Sequence, residues 1–477
     1  MTNNNSLFKA SEKSKRRALG AHMTSIDIFT EFIHPRIKDS FKEFIWVDLY
    51  AGEGNLILPI LSNINPNERE EFFKKNMYLF DVQNQMVNKC IKNAESYGIS
   101  RSVARKNIQA HDSLDSFPKF LKTLKKPIYH ITNPPYLYLG YISKHESTRK
   151  YLQYFKGNNS FCQDLYQIAM MKDLENELDY LIYIIPSNFL YGASVSNNFR
   201  LKFLKYYKII KAIIFETKMF RFTGTNIIIG FFQRKAKPRH SLSRFTGIKL
   251  SPNNHITKKK YILNPKFKYR AGSEFQAFLS KFKATETLKV RYYLLANEIN
   301  ENSGSKKVTL LDANRYKGGD YERKTFYINL NLYKKISKNI LYVRTVDTGS
   351  NDGRVGLNFI REDFNVDGIL VSGNTYRTHP IQIFLKPEIT IETQKLLRKY
   401  FNFVLECYRT KLDSEFLTTY KYSNAEYTRK YLGLNQVRKL IETFPYKMDT
   451  SNERNLNIAI NECRFREVLN ILKKNSM

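Results

Sequence analysis

Acidic residues are scarce in this 477-residue chain: 44 Asp and Glu stand against 78 Lys and Arg, for a formal net charge of +34. That balance excludes polycations as natural partners and points to a polyanion. Cysteine is scarce too. The four, Cys90, Cys162, Cys407 and Cys463, lie far apart, and no Cys-x-x-Cys is present. This argues against both a zinc knuckle and a disulfide framework, and no metal site is expected. Long apolar runs are missing: residues 181–185 and 227–232 are of strand length and too short to cross a bilayer. Residues 1–17 are polar, end basic and contain no apolar signal core. No membrane association and a cytoplasmic, nucleoid-associated location are expected. There is no Pro-Cys dipeptide and no internal repeat.

What is abundant complements these gaps. An apolar fraction of 42% supports real cores, and the length suits two or three domains. The cationic excess coexists with 32 Tyr and 34 Phe. Basic surface interleaved with aromatic rings suits a polyanion carrying stackable bases. Between Arg200 and Arg244 there are twelve Lys or Arg and one acid, Glu216, as expected of a phosphate-facing flank.

The motifs follow in order. After a basic lead, Gly20-Ala21-His22-Met23-Thr24 enters a helical pattern in which Ile26, Phe29 and Ile33 share a face. Thr24 and Asp27 have the spacing of a capping box. Residues 44–49 read as a buried strand running into Asp48-Leu49-Tyr50-Ala51-Gly52-Glu53-Gly54. Strand, glycine turn and apolar helix start form the first unit of a nucleotide-binding α/β fold. Ile57 stands where a dinucleotide cradle would have its third glycine, and the acid Asp48 precedes the turn. A ligand with a cationic group and no pyrophosphate fits that pattern. Residues 77–81 are a second strand ending in Asp81, placed to accept ribose hydroxyls. A weaker third strand over 103–111 leads to Asp112, either a contact for an adenine amino group or a solvated turn.

A fourth strand, 128–132, delivers Asn133-Pro134-Pro135-Tyr136. Two prolines cannot continue a ladder, so the strand stops and one amide, one carbonyl and one ring are presented at its carboxyl end. A helix over 164–174, strands at 181–185, 209–215 and 227–233, and a helix over 197–207 complete the pattern. Residues 220–226 form a loop before the last strand. Beyond Pro238 the character changes, and Lys258-Lys259-Lys260 looks like boundary material. The later polar loops at 345–354 and 372–379 are of the sort that can read base edges.

Over residues 15–235 the chain resembles the S-adenosylmethionine-dependent DNA adenine-N6 methyltransferases with the gamma order of motifs. The resemblance implies a Rossmann-like domain over 1–245, with a mostly parallel seven-stranded sheet. An α+β target-recognition domain over 246–477 would follow, because the 85 positions from Asp48 to Asn133 leave no room for one between them. It implies S-adenosylmethionine contacts at Gly20, His22, Met23, Thr24, Asp48, Tyr50, Ala51, Gly52, Gly54, Asp81 and Asp112. It implies a catalytic clamp of Asn133, Pro134, Pro135 and Tyr136, and base or DNA contacts at Tyr136, Phe220, Arg221 and Asn226. Double-stranded DNA is the expected partner, with the target adenine flipped out. A cognate restriction endonuclease, if present, would be a separate protein. The tetrapeptide by itself also fits RNA methylases and protein-glutamine methylases, and a DNA-recognition subunit is the non-enzymatic reading. Charge and chain length favour DNA.

Overall fold

A computed structural model describes residues 24–476 apart from 195, 221–223, 253–254, 348–352, 376–377 and 424–426. The described chain forms two compact units. The first runs through Ala271 and takes in Lys421–Thr428; the second comprises Gly272–Tyr420 and the residues from Arg429 onward.

The first unit is built on one sheet of nine strands: β1 (Ile45–Asp48), β2 (Met77–Asp81), β3 (Ile108–Ala110), β4 (Ile128–Thr132), β5 (Tyr180–Pro186), β6 (Tyr207–Phe215), β7 (Ile227–Arg234), β8 (Ser243–Leu250) and β9 (Ile256–Leu263). Their order is β3-β2-β1-β4-β5-β7-β6-β8-β9. Strands β1 to β5 pair in parallel, and β7 runs antiparallel between β5 and β6. The chain winds outward from β1 in one direction and then returns to lay β4 on its other side. That reversal opens a crevice beyond the carboxyl ends of β1 and β4. Central strands are buried on both faces, which is why β5 reads as a continuous apolar run. Trp46 in β1 is fully buried, stacks on Tyr129 of β4 and donates its indole N–H to the Phe41 carbonyl.

Several expectations are corrected. The sheet has nine strands where seven were expected, because β8 pairs in parallel with β6 and β9 returns along β8. Position 245 lies within β8. Lys258, Lys259 and Lys260 lie on the edge strand β9, where projecting lysines discourage further strand pairing. Residues 101–107 form a helix, and only Ile108–Ala110 is strand. Asn107 closes that helix by donating to the carbonyls of Phe73, Lys74 and Met77. The segment after Thr24 is helical, with Ile28, Phe29 and Ile33 buried, but Ile26 is exposed and no side chain caps it.

The second unit has two four-stranded sheets. One orders Lys289–Tyr292, Ile381–Lys386, Leu341–Arg344 and Gly356–Phe359; the other orders Leu294–Leu295, Gly368–Val371, Ser303–Lys317 and Asp320–Ile328. The helix Ile391–Leu412 packs an apolar face, including Leu397, Phe401 and Val404, into its main core. Thr390 caps this helix by accepting the Thr393 N–H at 3.1 Å. Among the described residues no helix is long and apolar enough to cross a membrane.

Candidate active site

A cavity of about 460 Å³ opens at the sheet crevice. Its lining joins Thr24, Asp48, Tyr50, Ala51, Gly52, Asp81, Asp112, Asn133 and Pro135, residues drawn from the ends of four neighbouring strands and the segment before β1.

The turn after β1 is shaped by its two glycines. Gly52 and Gly54 both have positive φ, +55° and +83°. A Cβ at Gly54 would stand 2.6 Å from Leu58 Cδ1 and 2.8 Å from Cys90 Sγ, so only glycine fits. Gly54 thus packs beneath the turn, whereas Gly52 faces the cavity. The turn is tied to β2: the Gly52 N–H donates to Asp81 Oδ2 at 2.9 Å, and the Ala51 N–H to the Phe80 carbonyl at 2.7 Å. Asp81 also accepts the Gln83 N–H at 2.8 Å. Asp48 is 1% exposed and accepts the Tyr50 N–H at 3.0 Å. Burial pushes its carboxyl up to about 6, against the opposing hydrogen bonds of Thr132 and the Tyr50 N–H; the Asp81 charge adds to the rise. Burial also raises Asp81, the two backbone donors opposing it. Asp112 accepts from the Leu114 N–H at 3.1 Å and the Tyr154 hydroxyl at 2.8 Å. Four acids, Asp48, Glu53, Asp81 and Asp112, line the cavity with two lysines, and one of these, Lys89, is bonded to Glu53 at 3.0 Å. An acidic concavity disfavours a phosphate and favours a ligand with positive charge and hydroxyl donors.

The amide at the end of β4 is oriented. Asn133 Nδ2 donates to Thr24 Oγ1 at 2.9 Å, which leaves Oδ1 as the acceptor on the other side. Thr24 is itself held by the Asn55 amide, which donates to its carbonyl at 2.9 Å. The Tyr136 hydroxyl sits within bonding distance of both Asn133 Oδ1 and the Ile184 carbonyl, though its single proton serves one at a time. Burial, then the charge of Asp164, holds Tyr136 well above its ordinary pKa. Its ring is buried and lies 6.4 Å from that of Phe220, inclined at 51°. The segment after the two prolines is braced by Asp164, which accepts the Leu137 N–H at 3.0 Å. Burial raises the Asp164 carboxyl to about 7 despite three backbone donors.

The structure thus brings Thr24, the glycine turn, Asp81, Asp112 and Asn133 to one cavity and sets Phe220 beside Tyr136. It does not bring Asn226 to a surface. Asn226 is 2% exposed, and its amide donates to the Phe215 carbonyl at 3.2 Å and to Thr428 Oγ1 at 3.0 Å. Gly20, His22, Met23 and Arg221 lie outside the described residues. Sequence reasoning missed Tyr151 and Tyr154, which wall the Asp112 side of the cavity from the segment Glu146–Phe155. Their recurring aromatic spacing was the available signal. It also missed Asp164, read only as a helix start.

The cavity lies beyond the carboxyl ends of β1 and β4, at the switch point of a wound sheet, where α/β folds of this class place their ligands. Residues 15–220 match the model of the Eco57I restriction-modification methylase. The type IIL restriction-modification enzyme MmeI, solved in complex with DNA, has a similar fold over 97% of this chain and 76% of its own, with 12% identity and a TM-score of 0.52. Two further structures match less fully: a DrdV–DNA complex at 11% identity and TM-score 0.38, covering 65% of this chain, and a nuclease-deletion mutant of the type ISP restriction-modification enzyme LlaGI with a DNA substrate mimic, at 13%, 0.41 and 62%. The chain spans 37% of the DrdV chain and 30% of the LlaGI chain. No curated protein matches the chain significantly.

Proposed function

We propose that the chain is a site-specific DNA methyltransferase that uses S-adenosylmethionine to methylate the N6 amine of a flipped-out adenine in double-stranded DNA, as the modification activity of a restriction-modification system. One observation carries this reading. The Asn133 amide, turned by Thr24 so that its oxygen is the acceptor, lines the same cavity as three acids at successive strand ends. Bound there, S-adenosylmethionine would supply an electrophilic methyl group on a sulfonium. Asp48 would hold its ammonium, Asp81 its ribose hydroxyls and Asp112, beside Tyr151 and Tyr154, its adenine. The cavity's excess of acid supports a cationic cofactor without phosphate.

The chain's own residues then have separable tasks. The Asn133 oxygen and the Pro134 carbonyl accept the two hydrogens of the exocyclic amine, favouring a more tetrahedral nitrogen with its lone pair exposed. Tyr136 and Phe220 supply rings for the extruded base, whose unstacking costs a few kcal/mol. No covalent intermediate is needed, since the amine itself is the nucleophile.

Charge supports DNA as the substrate. In the second unit the strands Ser303–Lys317 and Asp320–Ile328 form a long hairpin whose exposed positions include Lys306, Lys307, Arg315, Tyr316 and Lys317. A two-stranded ribbon of this width is one of the elements a major groove admits. Its Asn314 amide accepts the Gly373 N–H at 2.8 Å and donates to the Asn374 carbonyl at 3.0 Å, tethering Gly373 and Asn374 to the ribbon. This unit would carry target recognition. Methylation-sensitive sequencing of DNA from cells expressing the chain tests the whole reading. N6-methyladenine at a recurring sequence is expected; unmodified DNA, or a different modified base, overturns it.

A further inference from the structure

Beneath the glycine turn lies a buried polar pair that the proposed chemistry leaves unused. His130, midway along β4 and opposite Val47 of β1, is 0% exposed. Its Nε2 is 3.2 Å from the Leu49 nitrogen and its Nδ1 is 2.6 Å from Asp173 Oδ2. Asp173, on the helix Leu165–Glu175, is also 0% exposed and receives the Tyr183 hydroxyl on the same oxygen at 2.5 Å. A backbone N–H can only donate, so Nε2 must present its lone pair to Leu49. The ring proton then sits on Nδ1 and is donated to the Asp173 carboxylate. Neither residue lines the cavity.

Leu49 is the residue between Asp48 and Tyr50, so its N–H fixes the first peptide of the turn. The Tyr50 N–H in turn holds Asp48 Oδ1, and the Tyr50 ring lies 6.4 Å from the imidazole. The titratable groups around His130 are Asp48 and Tyr50 from the β1 end, Asp173 from the helix and Tyr183 from β5; the Tyr207 hydroxyl from β6 bonds the Asp173 and Leu178 carbonyls. Burying a hydrogen-bonded ionisable pair is a poor device for stability alone, since well-packed apolar residues do as well or better.

We propose that His130 is a positioning residue for the cofactor site. Asp173 selects the Nδ1–H tautomer, and the free Nε2 lone pair anchors Leu49 so that the Asp48 carboxylate is presented to the cavity. This rests on the reading of the cavity as the S-adenosylmethionine site. A carboxylate orients an imidazole in the same way in hydrolase triads; here the object held is a backbone amide.

The test combines imidazole ¹⁵N NMR of the full chain with calorimetry of S-adenosylmethionine binding. The His130 resonances, assigned by their loss in His130→Gln, should show the Nδ1–H tautomer. His130→Leu and Asp173→Asn should weaken S-adenosylmethionine about tenfold, raising its KM with little change in kcat, as expected for a lost buried hydrogen bond. His130→Gln, whose side-chain oxygen can reach Leu49, should restore most of the affinity. A wild-type ring protonated at Nε2 overturns the proposal without recourse to any variant. So do folded His130→Leu and Asp173→Asn chains that bind as tightly as the wild type. A wild-type chain that shows the Nδ1–H tautomer yet binds no S-adenosylmethionine instead overturns the cofactor reading, and with it the role assigned to Asp48.

Discussion

Asn133 and Asp48 serve opposite ends of the proposed reaction, and each can be removed without touching the other. Asn133→Ala should abolish methyl transfer, to below a few per cent of wild type, while S-adenosylmethionine affinity changes little; a radiolabelled methyl assay and calorimetry on the same preparation check both. Asp48 gives a pH signature. Its carboxyl titrates at about 6 in the free protein because burial disfavours the charge. If the ionised form holds the cofactor's ammonium, affinity should be flat above pH 7 and fall roughly tenfold by pH 5, as one proton comes to compete. Fold stability should respond with the opposite sign. A carboxyl raised in the folded state costs stability above its folded pKa, and the cost fades as pH falls through 6 toward the unfolded value. Calorimetric affinity and thermal melts across the range separate the two effects.

At the scale of elements, the loop between β6 and β7 is held by a segment from far along the chain. Thr428 donates to the Glu216 carbonyl at 2.8 Å and accepts from the Asn226 amide, and the Tyr422 N–H donates to the Gly224 carbonyl at 2.6 Å. Glu216, the one acid of the basic flank, pairs with the nearly buried Lys249 of β8. These interactions surround the loop that carries Phe220. Thr428→Val keeps the shape and removes both hydrogen bonds. It should cost about 1–3 kcal/mol of local stability and lower kcat for DNA while leaving S-adenosylmethionine affinity intact, as steady-state kinetics and binding would report. The second-unit ribbon offers a separate test. Replacing Lys306, Lys307, Arg315 and Lys317 with Gln should make DNA binding less sensitive to salt. The log–log slope should shrink by up to about 0.9 for each phosphate no longer neutralised, with no effect on cofactor binding.

For the whole molecule, the surplus of positive charge predicts DNA binding that falls steeply between about 50 and 200 mM salt. A simple truncation is less informative than the linear sequence suggests. Ending the chain at residue 250 would remove β9 and uncover the edge of β8. Ending it at Ala271 would remove Lys421–Thr428 from the first unit. Either should cost activity as well as target selectivity, measurable as methyl transfer to unspecific DNA. Substitution within the second unit is therefore the cleaner route to testing recognition.

The strand-turn pattern around Asp48, the acid at Asp81 and the stop at Pro134-Pro135 were legible because local rules govern them: period, glycine freedom and the missing proline donor. So was the wound α/β class. The sequence could not say that the sheet continues through β8 and β9, since pairing along β6 depends on which edge is free once the core has formed. Nor could it say that Thr24 turns the Asn133 amide from 109 positions away, or that Asn226 and Thr428, 202 apart, share a hydrogen bond. His130 is a polar residue within a largely apolar strand, and no local pattern marks it. Its partners Leu49 and Asp173 lie 81 and 43 positions away, and only packing brings an acceptor, a donor and a carboxylate into line. Local chemistry determined which groups reach the strand ends. The tertiary structure decided which of them face one another, because buried hydrogen-bonding groups must find partners wherever the fold places them.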